Sequence, residues 1–329
     1  MEWSNKKVLI AGGAGMIGSH LAKELVGRGA FVIVADDLSS GSQKNLMGIA
    51  CDFVRSDLRV EESCRRVMRD MDYVFQLAAN MGGILHISSI GADIMRDNSL
   101  ININMLHAAQ VGKMKRYLFS SSACVYPEYL QTDAEVKPLR ESDAWPAFPD
   151  QFYGVEKLFA EKVCEAYEND YGMNLRVARF HNILGEAYTA FDGLKAKAPC
   201  HIILKVLQCP DGGEIEIWGD GKQSRSFLYI DDCIEGILKL MESDYGLPIN
   251  IGSDRLVTID ELAQIVIGIS GKRISIRHDL SKPQGVRGRN ASLELVEKVL
   301  HWRPKVSLEE GLERTYRWAE KHLGELEGI

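Results

Sequence analysis

Val8-Leu9-Ile10-Ala11-Gly12-Gly13-Ala14-Gly15-Met16-Ile17-Gly18 decides the fold of this chain. The four apolar residues read as a short buried strand. The glycines then satisfy G-x-x-G-x-x-G through Gly12, Gly15 and Gly18, and G-x-G-x-x-G through Gly13. They permit a tight turn and let backbone come close to a pyrophosphate. Ser19 to Val26 continues an amphipathic helix, so the amides at its start, around Met16 and Ile17, face those phosphates. Phe31 to Ala35 is a second strand and ends in Asp36-Asp37. An acidic side chain roughly 20 residues past the glycines accepts from an adenosine ribose 2′-hydroxyl and repels a 2′-phosphate. Asp36 therefore favours NAD over NADP. Three glycines alone would also suit an ordinary turn; strand, glycines, helix, strand and acid in register would not.

Strand-like and helix-like segments keep alternating through the first 180 residues, the pattern of an α/β fold with a doubly wound parallel sheet, the Rossmann arrangement. The expected strands are 8–11, 31–35, 51–54, 73–78, 116–122 and 174–180; the expected helices are 16–26, 60–69, 93–111 and 152–170. Asp57 lies just past the third strand, where an adenine amino group would be met. Leu77-Ala78-Ala79-Asn80-Met81-Gly82-Gly83 puts small residues at the carboxyl end of the fourth, where ligands bind in such sheets. After His181-Asn182 the pattern changes. Gly185 to Pro199 reads as a loop. Shorter elements follow: helices near 200–208, 231–241, 258–269, 292–300 and 307–322, and strands at 214–218 and 248–251. We expect a cofactor domain over 1–181, to which segments near 227–251 return, and a smaller C-terminal α/β substrate domain over 182–329.

Tyr153-Gly154-Val155-Glu156-Lys157 carries the chemistry. Four apart on a helix, Tyr153 and Lys157 share one face. A free tyrosine has a pKa near about 10. A fixed ammonium nearby stabilises the phenolate and lowers that value. Such a pair can take a proton from a sugar hydroxyl while a hydride leaves for a nicotinamide. Ser120-Ser121-Ser122 lies some thirty positions earlier, at the end of a strand. Without the dinucleotide start, the same spacing would merely decorate a helix.

Bulk properties bound the partners. A formal charge of −7 gives no basic face for nucleic acid, so local cations must hold an anionic substrate. The seven cysteines are odd in number and form no C-x-x-C pair. No apolar run reaches membrane-spanning length, and Met1 to Lys7 is polar rather than signal-like. A cytoplasmic protein with free thiols and no membrane partner is expected. The histidines have no ligand-like spacing, so no metal is expected.

These residues, with Arg225-Ser226-Phe227-Leu228-Tyr229-Ile230-Asp231-Asp232, resemble the extended short-chain dehydrogenase/reductase family of nucleotide-sugar epimerases and dehydratases. Rarer strings are similar to one branch, whose members invert carbons 3 and 5 of a GDP-hexose such as GDP-mannose. They are Ser122-Ala123-Cys124-Val125-Tyr126-Pro127-Glu128, Glu141 to Ala147, Arg179-Phe180-His181-Asn182-Ile183, Lys197-Ala198-Pro199, Trp218-Gly219-Asp220-Gly221, and Gly285-Val286-Arg287-Gly288-Arg289-Asn290.

The resemblance implies NAD, a nucleoside-diphosphate sugar substrate with a GDP-sugar favoured, and a homodimer. The dimer would form through the helices near 93–111 and 152–170, which carry Leu100, Ile103, Leu106, Leu158, Val163 and Tyr167. It implies Ser122, Tyr153 and Lys157 for oxidation at carbon 4, and Cys124 and Lys197 as acid and base at carbons 3 and 5. It implies a substrate site of Gly83, Ser122, Cys124, Asn182, Lys197, Lys205, Gln223, Arg225 and Arg287. Dehydratases of the family carry Asp-Glu where this chain has Ala123-Cys124, so loss of both carboxyls argues against elimination. Apart from the resemblance, Cys124 also reads as core and Lys197 as a solvated loop lysine. The chain departs from that branch at Asn80, at Lys195-Ala196 and over 186–194, all close to the hexose. A nucleotide-sugar 4-epimerase or 4-dehydrogenase therefore stands as the alternative. More remote is a non-catalytic NAD-sensing regulator, which would typically lack Tyr153 or Lys157.

Overall fold

The computed structural model describes residues 2–193, 195–282 and 284–326. Leu194 of the expected loop and the outermost residues of both expected domains lie outside the described residues.

β1 (Lys7–Ala11), β2 (Phe31–Asp36), β3 (Asp52–Arg55), β4 (Tyr73–Gln76), β5 (Arg116–Ser122) and β6 (Leu175–Phe180) share one sheet with Ile249–Ile251. The spatial order is Ile249–Ile251, β6, β5, β4, β1, β2, β3, and every neighbouring pair is parallel. Val8, Leu9 and Ile10 are wholly buried because helices cover both faces. On one face lie α1 (Met16–Gly27) and the later helix Ile230–Glu242, with Leu21, Leu25, Ile234 and Ile237 inward. On the other lie α2 (Glu61–Met68), α4 (Gly91–Val111) and α5 (Phe152–Tyr171), contributing Cys64, Val67, Met105, Ala160 and Cys164. Chain order reverses between β1 and β4, and a ligand crevice belongs at the carboxyl ends there.

Most expected elements stand within one or two residues of their observed bounds. β4 is shorter than expected, ending at Gln76, whose side-chain amide turns back to the Ala78 carbonyl at 2.9 Å. Helix α3 (Ile84–Ser89) was not expected. It is one and a half turns of Ile-Leu-His-Ile-Ser-Ser, too short to show a period. The expected loop 185–199 contains a 3-10 turn, Tyr188–Phe191, and already enters α6 (Ala198–Gln208) at Ala198. Several short strands also escaped expectation, among them Ser224–Arg225 and Gly288–Arg289. These two pair in parallel and set Arg225 beside Arg289.

Candidate active site

The glycine turn forms a close-fitting cradle. Gly12 has φ +73°, and a Cβ there would stand 2.7 Å from Ala78 backbone. A Cβ on Gly18 would meet the Gly12 carbonyl oxygen at 2.5 Å. Gly15 caps α1 with no side-chain hydrogen bond, so no side chain occupies the first-turn amides that include Met16 and Ile17. Such a turn fits a dinucleotide pyrophosphate. At the end of β2, Asp36 accepts from Ala14 N at 3.0 Å and Leu38 N at 2.9 Å. Burial pushes its carboxyl up, and those two amides work against the rise. Leu77 follows β4, with its N–H on the Ala11 carbonyl. Asp57 is held by Arg59, Nη2 to Oδ2 2.8 Å, which lowers its carboxyl.

The start of α5 is pressed against the turn after β5. A Cβ on Gly154 would lie 2.0 Å from the Cys124 carbonyl oxygen, so only glycine lets the two segments meet. Ser122 ends β5, and its hydroxyl accepts from Cys124 N at 3.1 Å. Burial holds the Tyr153 phenol well above its ordinary value; Cys124 and Glu156 add to the rise, while a hydrogen bond with Ser122 opposes it. This corrects the expectation that the neighbouring ammonium would prevail. Lys157 is itself buried, donates to the Ser120 carbonyl at 3.1 Å, and stands 5.6 Å from the Tyr153 ring centroid. Burial pushes its ammonium down, against Glu156. Desolvation outweighs pairing in this site.

Lys197 caps α6 and is brought into electrostatic range of Cys124. Burial lowers its ammonium, and Cys124 is the largest opposing influence. Ser122, Cys124, Tyr153, Lys157 and Lys197 thus gather at one place. Gly83 caps α3, and its N–H donates to the Lys195 carbonyl at 3.0 Å, joining the Lys197 loop to the start of that helix.

The remaining expected substrate residues form a second group. Arg225 donates to the carbonyls of Ser224 and Val286 at 2.7 Å each, and burial lowers its guanidinium to about 9, with Arg289 adding to the effect. Arg287 pairs with Asp220 at 2.8 and 3.0 Å. Lys205 donates to the Glu216 carbonyl at 2.6 Å and lies over the Trp218 ring. Gln223 donates to the Trp218 carbonyl, and Asn182 to that of Ser226, each at 3.0 Å. Arg287 is therefore partly neutralised, while Lys205 and Arg225 donate to backbone carbonyls, which carry no compensating charge.

Two residues escaped the sequence reading. Arg289 Nη1 lies 3.2 Å from Cys124 Sγ, and Asp150 stands behind the same guanidinium, Nη2 to Oδ1 3.6 Å. Asp150 lies in the loop just ahead of α5, and Arg289 in the segment Gly285 to Asn290, where Arg287 drew the sequence reading instead.

Comparison with known proteins agrees with this architecture. GDP-mannose 3,5-epimerase of Arabidopsis thaliana is 42% identical over 320 residues, covering 97% of this chain and 83% of the relative. UDP-glucose 4-epimerase of Thermotoga maritima, solved with UDP-glucose, matches with a TM-score of 0.86 at 29% identity, over 96% of this chain and 99% of that one. UDP-glucuronic acid 4-epimerase of Bacillus cereus, solved with UDP-glucuronic acid and NAD, matches with a TM-score of 0.83 at 26% identity, over 96% and 99%. The sequence pattern of one family extends over residues 8–252, from β1 to the strand that completes the sheet, and on that match the chain belongs to the NAD dependent epimerase/dehydratase family.

Proposed function

We propose that this protein inverts carbons 3 and 5 of a GDP-linked hexose, as the name of its Arabidopsis relative describes. The observation that carries the reading is that Lys197 lies within electrostatic reach of Cys124, which itself adjoins Ser122 and Tyr153. A 4-epimerase needs Ser122, Tyr153 and Lys157 alone.

NAD supplies the hydride acceptor and donor for carbon 4. Tyr153, beside Ser122, takes the proton of the 4-hydroxyl, and the Lys157 ammonium works against the burial that disfavours the phenolate. A 4-keto sugar has acidified protons at carbons 3 and 5. Cys124 and Lys197 then remove a proton from one face and return one from the other. Lys205, Arg225 and Arg287 hold the diphosphate, with Asn182 and Gln223 as hydrogen-bonding neighbours. The domain division follows the same roles: 1–181 for cofactor, with Ile249–Ile251 added to its sheet, and 182–329 for substrate.

The working unit is a homodimer in the cytoplasm, where the seven free cysteines stay reduced. Leu100 and Ile103 of α4 are exposed beside Phe152, Val155 and Phe159 of α5, an apolar face suited to a second copy. Leu106 and Leu158, expected on that face, turn into the chain's own core. A monomer at micromolar concentration by light scattering would contradict the dimer.

The test is incubation with GDP-mannose in deuterated water, read by NMR. Deuterium entering at carbons 3 and 5 is the expected result. Turnover at carbon 4 without such exchange would replace this reading with a 4-epimerase or 4-dehydrogenase.

A further inference from the structure

The loop that ends at Lys197 is tied to the cofactor side of the molecule. Between β2 and β3 the chain runs from Asp36 into a 3-10 turn, Gln43–Leu46. There the Asn45 carboxamide reaches two segments at once. Its Nδ2 donates to the Ala14 carbonyl at 2.8 Å and to Thr189 Oγ1 at 3.1 Å. Its Oδ1 accepts from Tyr188 N at 2.9 Å. Ala14 belongs to the glycine turn. Its carbonyl also accepts Ser42 N at 3.0 Å, and its N–H donates to Asp36. Tyr188 and Thr189 open the 3-10 turn that precedes Lys197. The chain then folds back: the Asp192 carbonyl accepts Lys195 N at 2.9 Å and Ala196 N at 2.6 Å, and Lys197 caps α6 directly after. A second tie runs beside the first, from Lys195 Nζ to the Ser39 carbonyl at 3.0 Å. In sequence, 143 positions separate Asn45 from Tyr188, so nothing local to either marks the bridge.

The bridge calls for a carboxamide. Ala14 offers a carbonyl and Tyr188 an amide, so the group between them must donate on one side and accept on the other. A carboxylate would meet Tyr188 N but set a second acceptor against the Ala14 oxygen. We propose that Asn45 is a positioning residue for Lys197: it couples the turn that would hold the dinucleotide pyrophosphate to the loop that ends in the lysine, so that filling one firms the other. This rests on the reading of Lys197 as an acid–base group at the hexose. It deepens that reading by naming what sets the amine in place. A lysine has a flexible four-carbon stem, so its reach is only as precise as the backbone it starts from. A misplacement of about 1 Å at a reacting centre can cost on the order of 100-fold in rate.

The test is backbone hydrogen–deuterium exchange over residues 186–198, read by mass spectrometry on the full chain without dinucleotide and with saturating NAD. In wild type, NAD should slow exchange there by about 5-fold or more, the lower end of an ordinary coupling between sites. In Asn45→Ala exchange should be faster, and NAD should no longer slow it although NAD still binds. Asn45→Asp keeps an acceptor for Tyr188 N and loses the donor to Ala14, so it should also lose the NAD effect. Exchange over β4 and β5 reports folding, and if Asn45→Ala opens there, Asn45→Asp decides. A role confined to local stability would speed exchange in the variants and leave the NAD effect in place. That result, or no NAD effect in wild type, overturns the proposal whatever the substrate proves to be. An NAD effect lost in the variants, with wild-type enzyme giving no deuterium exchange at carbons 3 and 5 of the sugar, would leave the bridge intact and remove only the epimerase reading.

Discussion

Glu161 and Arg179 form a two-pronged ion pair in the interior, Nε to Oε1 2.8 Å and Nη2 to Oε2 2.7 Å, with both side chains almost fully enclosed. Glu161 also accepts the Ser121 hydroxyl at 2.5 Å. It lies one turn beyond Lys157 on α5, so it ties that helix to β5 next to Ser122. Replacing it with glutamine leaves a buried guanidinium without its counter-charge. Such losses cost about 3 to 5 kcal/mol. Urea unfolding of Glu161→Gln should show a drop of that order, with turnover reduced in the fraction that folds.

Tyr153→Phe should lower turnover by a factor on the order of 100 to 10,000, the usual worth of a general acid–base group. NAD content should stay near wild type, because the variant removes a single hydroxyl while the glycine turn and Asp36 that would hold the dinucleotide are unchanged. Steady-state rates and absorbance of the released cofactor measure the two. Near wild-type turnover would take Tyr153 out of the reaction.

Asp36→Ala should weaken NAD binding and narrow the preference over NADP. Fluorescence titration with both dinucleotides reads the ratio. The Ala14 and Leu38 amides that Asp36 accepts also lose their partner, so a modest fall in melting temperature should accompany it.

Lys197→Ala should permit some deuterium exchange on the face served by Cys124 while blocking completed inversion. Cys124→Ser should slow exchange itself. NMR of the recovered sugar separates the two patterns, and equal effects from both variants would argue against acids and bases on opposite faces.

His181 is enclosed and held neutral, with its pKa lowered to about 3 by burial, against a hydrogen bond to Asn250. As pH falls below about 6.5 the unfolded chain binds a proton that the folded chain refuses, so stability declines over the interval down to about 3. His181→Gln should remove on the order of 1 kcal/mol of the decline between about pH 6.5 and 5.5. Urea midpoints of both proteins across that interval check it, and parallel curves would exclude His181 as the source.

The first two strands were legible because each is a continuous apolar run, one ending in glycines and the other in acids, and such runs have few alternative readings. Tyr153 and Lys157 were legible because their helical spacing encodes contact directly. Cys124 and Lys197 entered through resemblance, since 73 positions separate them and nothing local to either marks a partner. Arg289 stayed invisible for a related reason. Its neighbours Gln131 and Asp150 come from distant loops, and a buried arginine carries the same letter as an exposed one. The charge balance at Tyr153 and Lys157 escaped too, because spacing reports proximity while burial depends on everything packed around the pair.

The strand Ile249–Ile251 adds to the sheet edge at β6, well over sixty residues after the chain has left it. A fragment cut near residue 181 would expose β6 as a bare parallel edge, with Val177 and Ala178 ready to join strands of other molecules. The two halves are therefore not interchangeable modules. A chimera that joins residues 1–181 to the later part of a relative has to keep this late strand, or supply a compatible one, to keep that edge covered.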